Sequence, residues 1–180
     1  EHFLVDIQGM FYELQPIAFE GRIWGVKPVC QHLRIIPDYC AFRGLLALGG
    51  NQTTPNRDNN AVAGQPQSGV WFGKTDDLWR WGKPQGWGGV WRDSPVRRGE
   101  VSDPFLFTGF EHKVLHLATD PPAALQLEVD FLGNGSWKMY EHVNVNNGYK
   151  PVVFPEGFSA HWVRLRAHTD CRATAEFMFT

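Results

Sequence analysis

Residues 125–131 read Leu-Gln-Leu-Glu-Val-Asp-Phe, an unbroken alternation of apolar and polar side chains. A period of two in so strict a form dictates a strand with one buried and one wet face. Asn134-Gly135 follows, and both residues tolerate the positive φ of a tight hairpin turn. In 137–145 the odd positions are mostly apolar, and Asn147-Gly148 signals a second turn. Residues 150–154 form a short strand that Pro151 confines to an edge or a strand start, and Pro155-Glu-Gly157 turns the chain again. Further on, Val163, Leu165 and Ala167 oppose Arg164, Arg166 and His168. Finally Cys171, Ala173, Ala175, Phe177 and Phe179 alternate with Arg172, Thr174, Glu176 and Met178. Residues 111–180 are therefore expected to form an antiparallel meander or small sandwich. Its apolar face needs a cover, which the N-terminal region is expected to supply.

Upstream the strand signal is less regular. Candidates are 3–7, 11–14, 23–26, 33–36, 45–48, 70–72, 105–107 and 114–118. Residues 75–81 fit a short helix or turn, with Thr75 as cap and Asp76 and Asp77 favouring its N-terminus. Residues 51–68 are polar and rich in Asn, Gln, Thr and Pro, as in a long exposed loop. A soft boundary falls near residue 110, where a Trp- and Gly-rich style gives way to clean alternation. The expectation is one all-β domain over 1–180: an antiparallel β-sandwich, jelly-roll-like, with long irregular loops.

Composition narrows the function classes. Hydrophobic residues make up 43% and charged residues 20%, as in a folded domain. The net charge of −2 excludes strong polyelectrolyte attraction to nucleic acid or anionic membrane, and the nearest basic patch is only Arg97-Arg98. No apolar run approaches the roughly 20 residues of a bilayer span. The opening Glu1-His2-Phe3 has no signal-peptide pattern, so a processed, trimmed or partial chain is expected. Cys30, Cys40 and Cys171 are odd in number and match no zinc spacing. They fit buried thiols, a Cys30–Cys40 or a Cys40–Cys171 pairing. Asn51-Gln-Thr53 and Asn134-Gly-Ser136 fit the glycosylation triplet.

The chemistry-bearing stretch is 69–93, which holds five of the eight tryptophans: Trp71, Trp79, Trp81, Trp87 and Trp91. Indoles at this density are either a core plug or a stacking platform for a flat ligand such as a pyranose ring. Gly82, Gly86, Gly88 and Gly89 allow a tight path around Trp87, and charges lie between the rings. The ligand-binding candidates are Trp79, Trp81 and Trp87 with Arg80 and Lys83; Trp71, inside an apolar run, belongs to the core. Asp76 and Asp77 are candidate acid/base carboxylates, with capping or ion pairing as the alternative. Adjacent residues on a strand face opposite ways, so only one can serve a given site, and a glycosidase needs two carboxyls about 5–10 Å apart. His112 and His116, with His142, His161 and His168 on neighbouring strands, would bind zinc or copper only if three converged, and no metal signature supports that. The Asp130–Gly135 run is a turn rather than a calcium loop. His32 near Cys40 is the faintest hint of a thiol nucleophile. No nucleophile elbow, phosphate loop or dinucleotide fingerprint is present, and no cofactor is expected.

Several segments taken together carry a resemblance: Arg34-Ile-Ile-Pro-Asp-Tyr-Cys40-Ala-Phe-Arg-Gly44-Leu-Leu, Val70-Trp-Phe-Gly73 followed by Asp76-Asp-Leu-Trp79, Ser102-Asp-Pro-Phe105, and Gly157-Phe-Ser-Ala-His161-Trp-Val-Arg164. Most of the chain resembles the C-terminal region of long uncharacterised exported bacterial proteins, in which propeller-like blades precede a small β-sandwich. The resemblance implies that architecture, an extracellular or periplasmic location and an N-terminal region of a longer protein as partner; it assigns no activity and no residue. Three functions are then in view. The first is a carbohydrate-binding or accessory module of an exported glycan-active protein. The second is a glycan hydrolase or lyase using Asp76 or Asp77 with a histidine. The third is a structural domain that packs on an N-terminal region and so exposes a large apolar patch when alone.

Overall fold

The computed structural model describes residues 3–14, 26–32, 34, 36–49 and 69–180. The expected loop 51–68, the glycosylation triplet at Asn51 and parts of the expected strands 23–26 and 33–36 lie outside the described residues. The regular structure of the described residues is nearly all strand, in antiparallel sheets, and they fall into two compact units that divide between Pro84 and Gln85. Among them no helix is long and apolar enough to cross a membrane.

The first unit holds two three-stranded sheets. One is β1 (Phe3–Ile7), β2 (Met10–Leu14) and β3 (Val26–Gln31); the other is β4 (Tyr39–Phe42), β5 (Leu45–Leu48) and β6 (Trp71–Gly73). Its two tightest hairpins use two-residue turns, Gln8-Gly9 and Arg43-Gly44, with positive φ at both positions of each. This is the turn whose twist matches that of the strands, and it is why glycine closes both. Phe11, Val29, Cys30, Leu46, Leu48 and Leu78 form the core. The Tyr39 hydroxyl donates to the Leu4 carbonyl at 2.5 Å and ties one sheet to the other. Burial pushes the Cys30 thiol up to about 11, so it packs as a small hydrophobe. The predicted helical turn is a 3-10 helix, Thr75–Arg80, that delivers Leu78 to this core. Its N-cap is Lys74 rather than the expected Thr75. Asp77 closes the turn in both directions: its N–H donates to the Lys74 carbonyl at 3.0 Å, and its carboxylate accepts the Lys74 N–H at 2.9 Å.

The second unit is a β-sandwich. Its strands are β7 (Gly86–Val96), β8 (Phe105–Leu106), β9 (Lys113–Asp120), β10 (Ala123–Asp130), β11 (Lys138–Val145), β12 (Tyr149–Val153), β13 (Trp162–Ala167) and β14 (Cys171–Phe179). They form two four-stranded sheets, β11-β10-β13-β8 and β12-β9-β14-β7. The change of style near residue 110 is not where the units divide, because β7 pairs with the last strand, β14. The hairpin signalled by Asn134-Gly135 joins β10 to β11, and both Asp130 oxygens accept loop N–H groups, from Gly133 at 2.9 Å and Gly135 at 2.7 Å. The other short turns do not make hairpins. From β9 to β10, β11 to β12 and β13 to β14 the chain crosses between sheets, so the expected meander is a jelly-roll-like weave instead. The physical reason is burial. A crossing turn points the apolar faces of successive strands at each other, and among the described residues the two sheets of this unit cover one another. Leu115, Leu117, Ala175 and Phe177 of one sheet meet Leu125, Leu127, Val163 and Leu165 of the other in a single core.

One of the buried charges of this unit is a lysine. Lys113 is almost fully buried, and its ammonium donates to the carbonyls of Phe110 at 2.6 Å and Phe158 at 2.7 Å. Burial lowers its pKa from the ordinary 10.5. Between the lowered value and 10.5 the unfolded chain holds more protons, so this group adds stability as pH rises through that window. Lys113→Met removes the donor to both carbonyls and should cost about 2 kcal/mol in urea unfolding at neutral pH. The gap between wild type and variant should widen toward pH 10; a gap that narrows contradicts the assignment.

Candidate functional site

The tryptophan run is divided between the units. Trp71, Trp79 and Trp81 belong to the first, Trp87 and Trp91 to the second. Trp71 and Trp81 meet edge to face at 5.1 Å and pack against the first unit's core. Trp81 also meets the His32 ring at 6.4 Å and carries the Arg34 guanidinium 5.2 Å over its face. Trp81, expected to bind ligand, is thus held on several sides by its own unit. Trp79, Arg80 and Lys83 are exposed, the last just beyond the 3-10 helix. Asp77 is spent on Lys74, which is the capping use and leaves it a closer of turns; Asp76 beside it is exposed. His32 spends both ring nitrogens. Nδ1 accepts the Arg34 N–H at 3.1 Å, so Nε2 carries the proton and donates to Asp6 at 3.1 Å. Neither nitrogen is left to activate a thiol.

The histidines do not converge, and no described group of three His, Cys, Asp or Glu can hold a metal ion. His116 bonds the Tyr149 hydroxyl at 2.8 Å on one sheet, whereas His142 and His168 meet on the other at 5.4 Å.

Among the described residues Trp87 is the most exposed indole. It is 81% exposed, while Trp91, four residues on, is 7% exposed. On a regular strand, residues four apart share a face. The pairing with β14 explains the difference: Glu176 opposes Gly89 and Ala175 opposes Trp91, so Val90 is a bulge with no partner. One extra residue turns over the side chains that follow it, here as far as the second irregularity at Arg92-Asp93. Trp91 goes inward beside Ala175, and Trp87 stays outward beside Met178. Gly89 makes the bulge possible, since a Cβ there would lie 2.2 Å from the Ala175 carbonyl oxygen.

Trp87 heads a row that crosses the whole sheet: Trp87, Met178, Val114 and Val153 are successive cross-strand partners. The next row is polar. Glu176 pairs with His116, accepts a 2.8 Å hydrogen bond from Arg92 Nε, and lies beside Gly89. His116 in turn stacks on Tyr149. Rows on one face of a strand are about 7 Å apart, so Glu176, on the strand next to Trp87, lies one row from a ring seated on the indole and brings its Arg92 partner with it. At the end of the same sheet lies an open cleft of about 510 Å³ lined by Asp93, Thr119, Asp120, Gly148, Arg172 and Thr174. There Arg172 grips Asp93 with a two-pronged contact at 2.9 and 2.7 Å, and that contact holds the Asp93 carboxyl below the usual range.

No protein-family model matches the chain, and no curated protein matches it. Similar solved structures include a glycoside hydrolase family 43 arabinoxylan arabinofuranohydrolase from Bacillus subtilis in complex with cellotetraose, at 9% identity and a TM-score of 0.35. The alignment covers 100% of this chain and 53% of that one, so the chain spans about half its length. A CBM4 structure is similar at 14% identity and a TM-score of 0.25, over 82% of this chain and 76% of that one.

The geometry separates packed positions from exposed ones. Gly89→Ala should cost about 2–3 kcal/mol in denaturant unfolding, as expected for a steric clash against the backbone of the neighbouring strand. Trp87→Ala should shift stability by no more than about 0.5 kcal/mol, as surface changes do. A large loss for Trp87→Ala would make that indole part of the core.

Proposed function

We propose that the chain is a carbohydrate-binding or accessory module that seats a sugar ring on Trp87, on the outer face of the β12-β9-β14-β7 sheet. The observation that carries this reading is an 81% exposed indole fixed on a strand, one row from Glu176, which Arg92 bonds and His116 pairs with. Indoles lose little conformational entropy on stacking, and the adjacent polar row supplies donors and acceptors for hydroxyls. Trp79, exposed beside Arg80 and Lys83 in the first unit, is a second contact of the same kind. We infer an extracellular or periplasmic setting, as part of a longer exported protein, from the sequence resemblance. In affinity electrophoresis against a panel of plant and algal polysaccharides, at least one should retard the protein. Trp87→Ala should abolish that retardation at unchanged thermal stability; no retardation by any polysaccharide removes the proposal.

One observation favours the structural reading instead. The row through Met178, Val114 and Val153 is apolar from edge to edge, as an interface with another protein surface would be. That reading predicts self-association of the chain in sedimentation, reversed by Met178→Lys, with no effect of Trp87→Ala on polysaccharide mobility.

A further inference from the structure

The outer face of the other sheet carries a different chemistry. Register places His142, Gln126 and Arg166 in one row and Met139, Glu128 and Arg164 in the next, across β11, β10 and β13. Glu128 is at the centre with its side chain 8% exposed, although it points away from the core. It is covered by its partners: Arg164 Nε donates to it at 2.6 Å, Arg166 Nε at 3.1 Å and Gln126 Nε2 at 2.8 Å. Burial alone would raise its pKa, and the two guanidinium groups overcome that and hold the carboxyl below its usual range. The network extends outward. His168 Nε2 bonds the Gln126 oxygen at 3.1 Å, His142 meets His168, and the Arg164 guanidinium lies 4.1 Å over the Trp137 ring.

Two features of this network exceed what holding Glu128 requires. Two guanidinium charges face one carboxylate, which leaves a local excess of positive charge. Each arginine also gives Glu128 only its Nε, unlike the two-pronged grip of Arg172 on Asp93. Among the described residues no acceptor meets the Nη groups of Arg164 or Arg166. Trp137 and Glu128 fix the planes of two forks whose remaining donors are unspent, and such forks match an oxyanion. A role confined to structure would be met by one arginine in a two-pronged pair.

We propose that this face is a second binding site, specific for an oxyanion carried on a saccharide, either a uronate carboxylate or a sulfate ester. Arg164 and Arg166 contact the anion, Glu128 and Trp137 position them, and His142 and His168 border the sugar. The site shares with the Trp87 reading only the class of ligand, and the two fail separately. The chain's net charge of −2 makes general attraction to a polyanion unfavourable, so retention has to be local.

The test is affinity electrophoresis in gels containing polygalacturonate, dextran sulfate or unsubstituted dextran, at low and at 0.3 M salt. Wild type should be retarded by polygalacturonate, dextran sulfate or both, less so at high salt, and which polymer retards it separates uronate from sulfate. Arg166→Gln should weaken binding at least about fivefold, the loss of one charge-assisted contact. Because that change also touches Glu128, Met139→Glu is the companion variant. Met139 is 58% exposed beside Glu128, so a carboxylate there should leave the fold intact and weaken binding by a similar factor. Trp87→Ala should leave this binding unchanged. Retardation by neither acidic polymer overturns the proposal, as does retardation that folded Met139→Glu leaves intact.

Discussion

Strand β14 sits between β7 and β9, and the orientation of its sheet depends on it. Its inward residues Ala173, Ala175, Phe177 and Phe179 reach the core shared with the opposite sheet. Phe177 stacks on Phe105 at 5.1 Å, and Phe179 stacks on Phe110 at 4.5 Å. With those positions fixed inward, Glu176 and Met178 are fixed outward. The small side chain of Ala175 and the absent one of Gly89 let β7 approach closely enough to bulge. The open indole of Trp87 is therefore set by a packing decision made on its neighbour.

The same logic governs the opposite face. Leu127 and Val129 go inward, so Glu128 between them must go outward, and the inward positions of Val163, Leu165 and Ala167 do the same for Arg164 and Arg166. A carboxylate and two guanidiniums meet because antiparallel register brings Glu128 opposite Arg164. Charge is placed here by the demands of an apolar core on the other side of the sheet.

Much of the fold was legible in the sequence, because alternation is a local property. The strands from residue 113 onward, the β10–β11 hairpin, the core assignment of Trp71 and the capping use of Asp77 all follow from neighbours a few positions apart. What was not legible is non-local. A hairpin turn and a sheet-crossing turn have the same length and residue types, so Asn147-Gly148 did not reveal that β11 and β12 part company. The Val90 bulge exists only in the pairing with β14, so Trp87 and Trp91 could not be told apart by spacing. The surroundings of Trp81 are equally non-local, since its partners His32 and Arg34 lie far away along the chain. The Glu128 network left alternating charges in view, but the register that joins them is a property of three strands.

A sandwich is two sheets back to back, so its two outer faces look in opposite directions, with roughly 10 Å of core between the sheets. The row headed by Trp87 and the row centred on Glu128 therefore cannot be consecutive subsites for one short chain. On the two binding proposals, ligands on these faces would not compete. Geometrically the second unit would then act as a rivet: a body whose two heads point apart, suited to holding two separate strands of a polymer at a fixed spacing rather than gripping one more tightly.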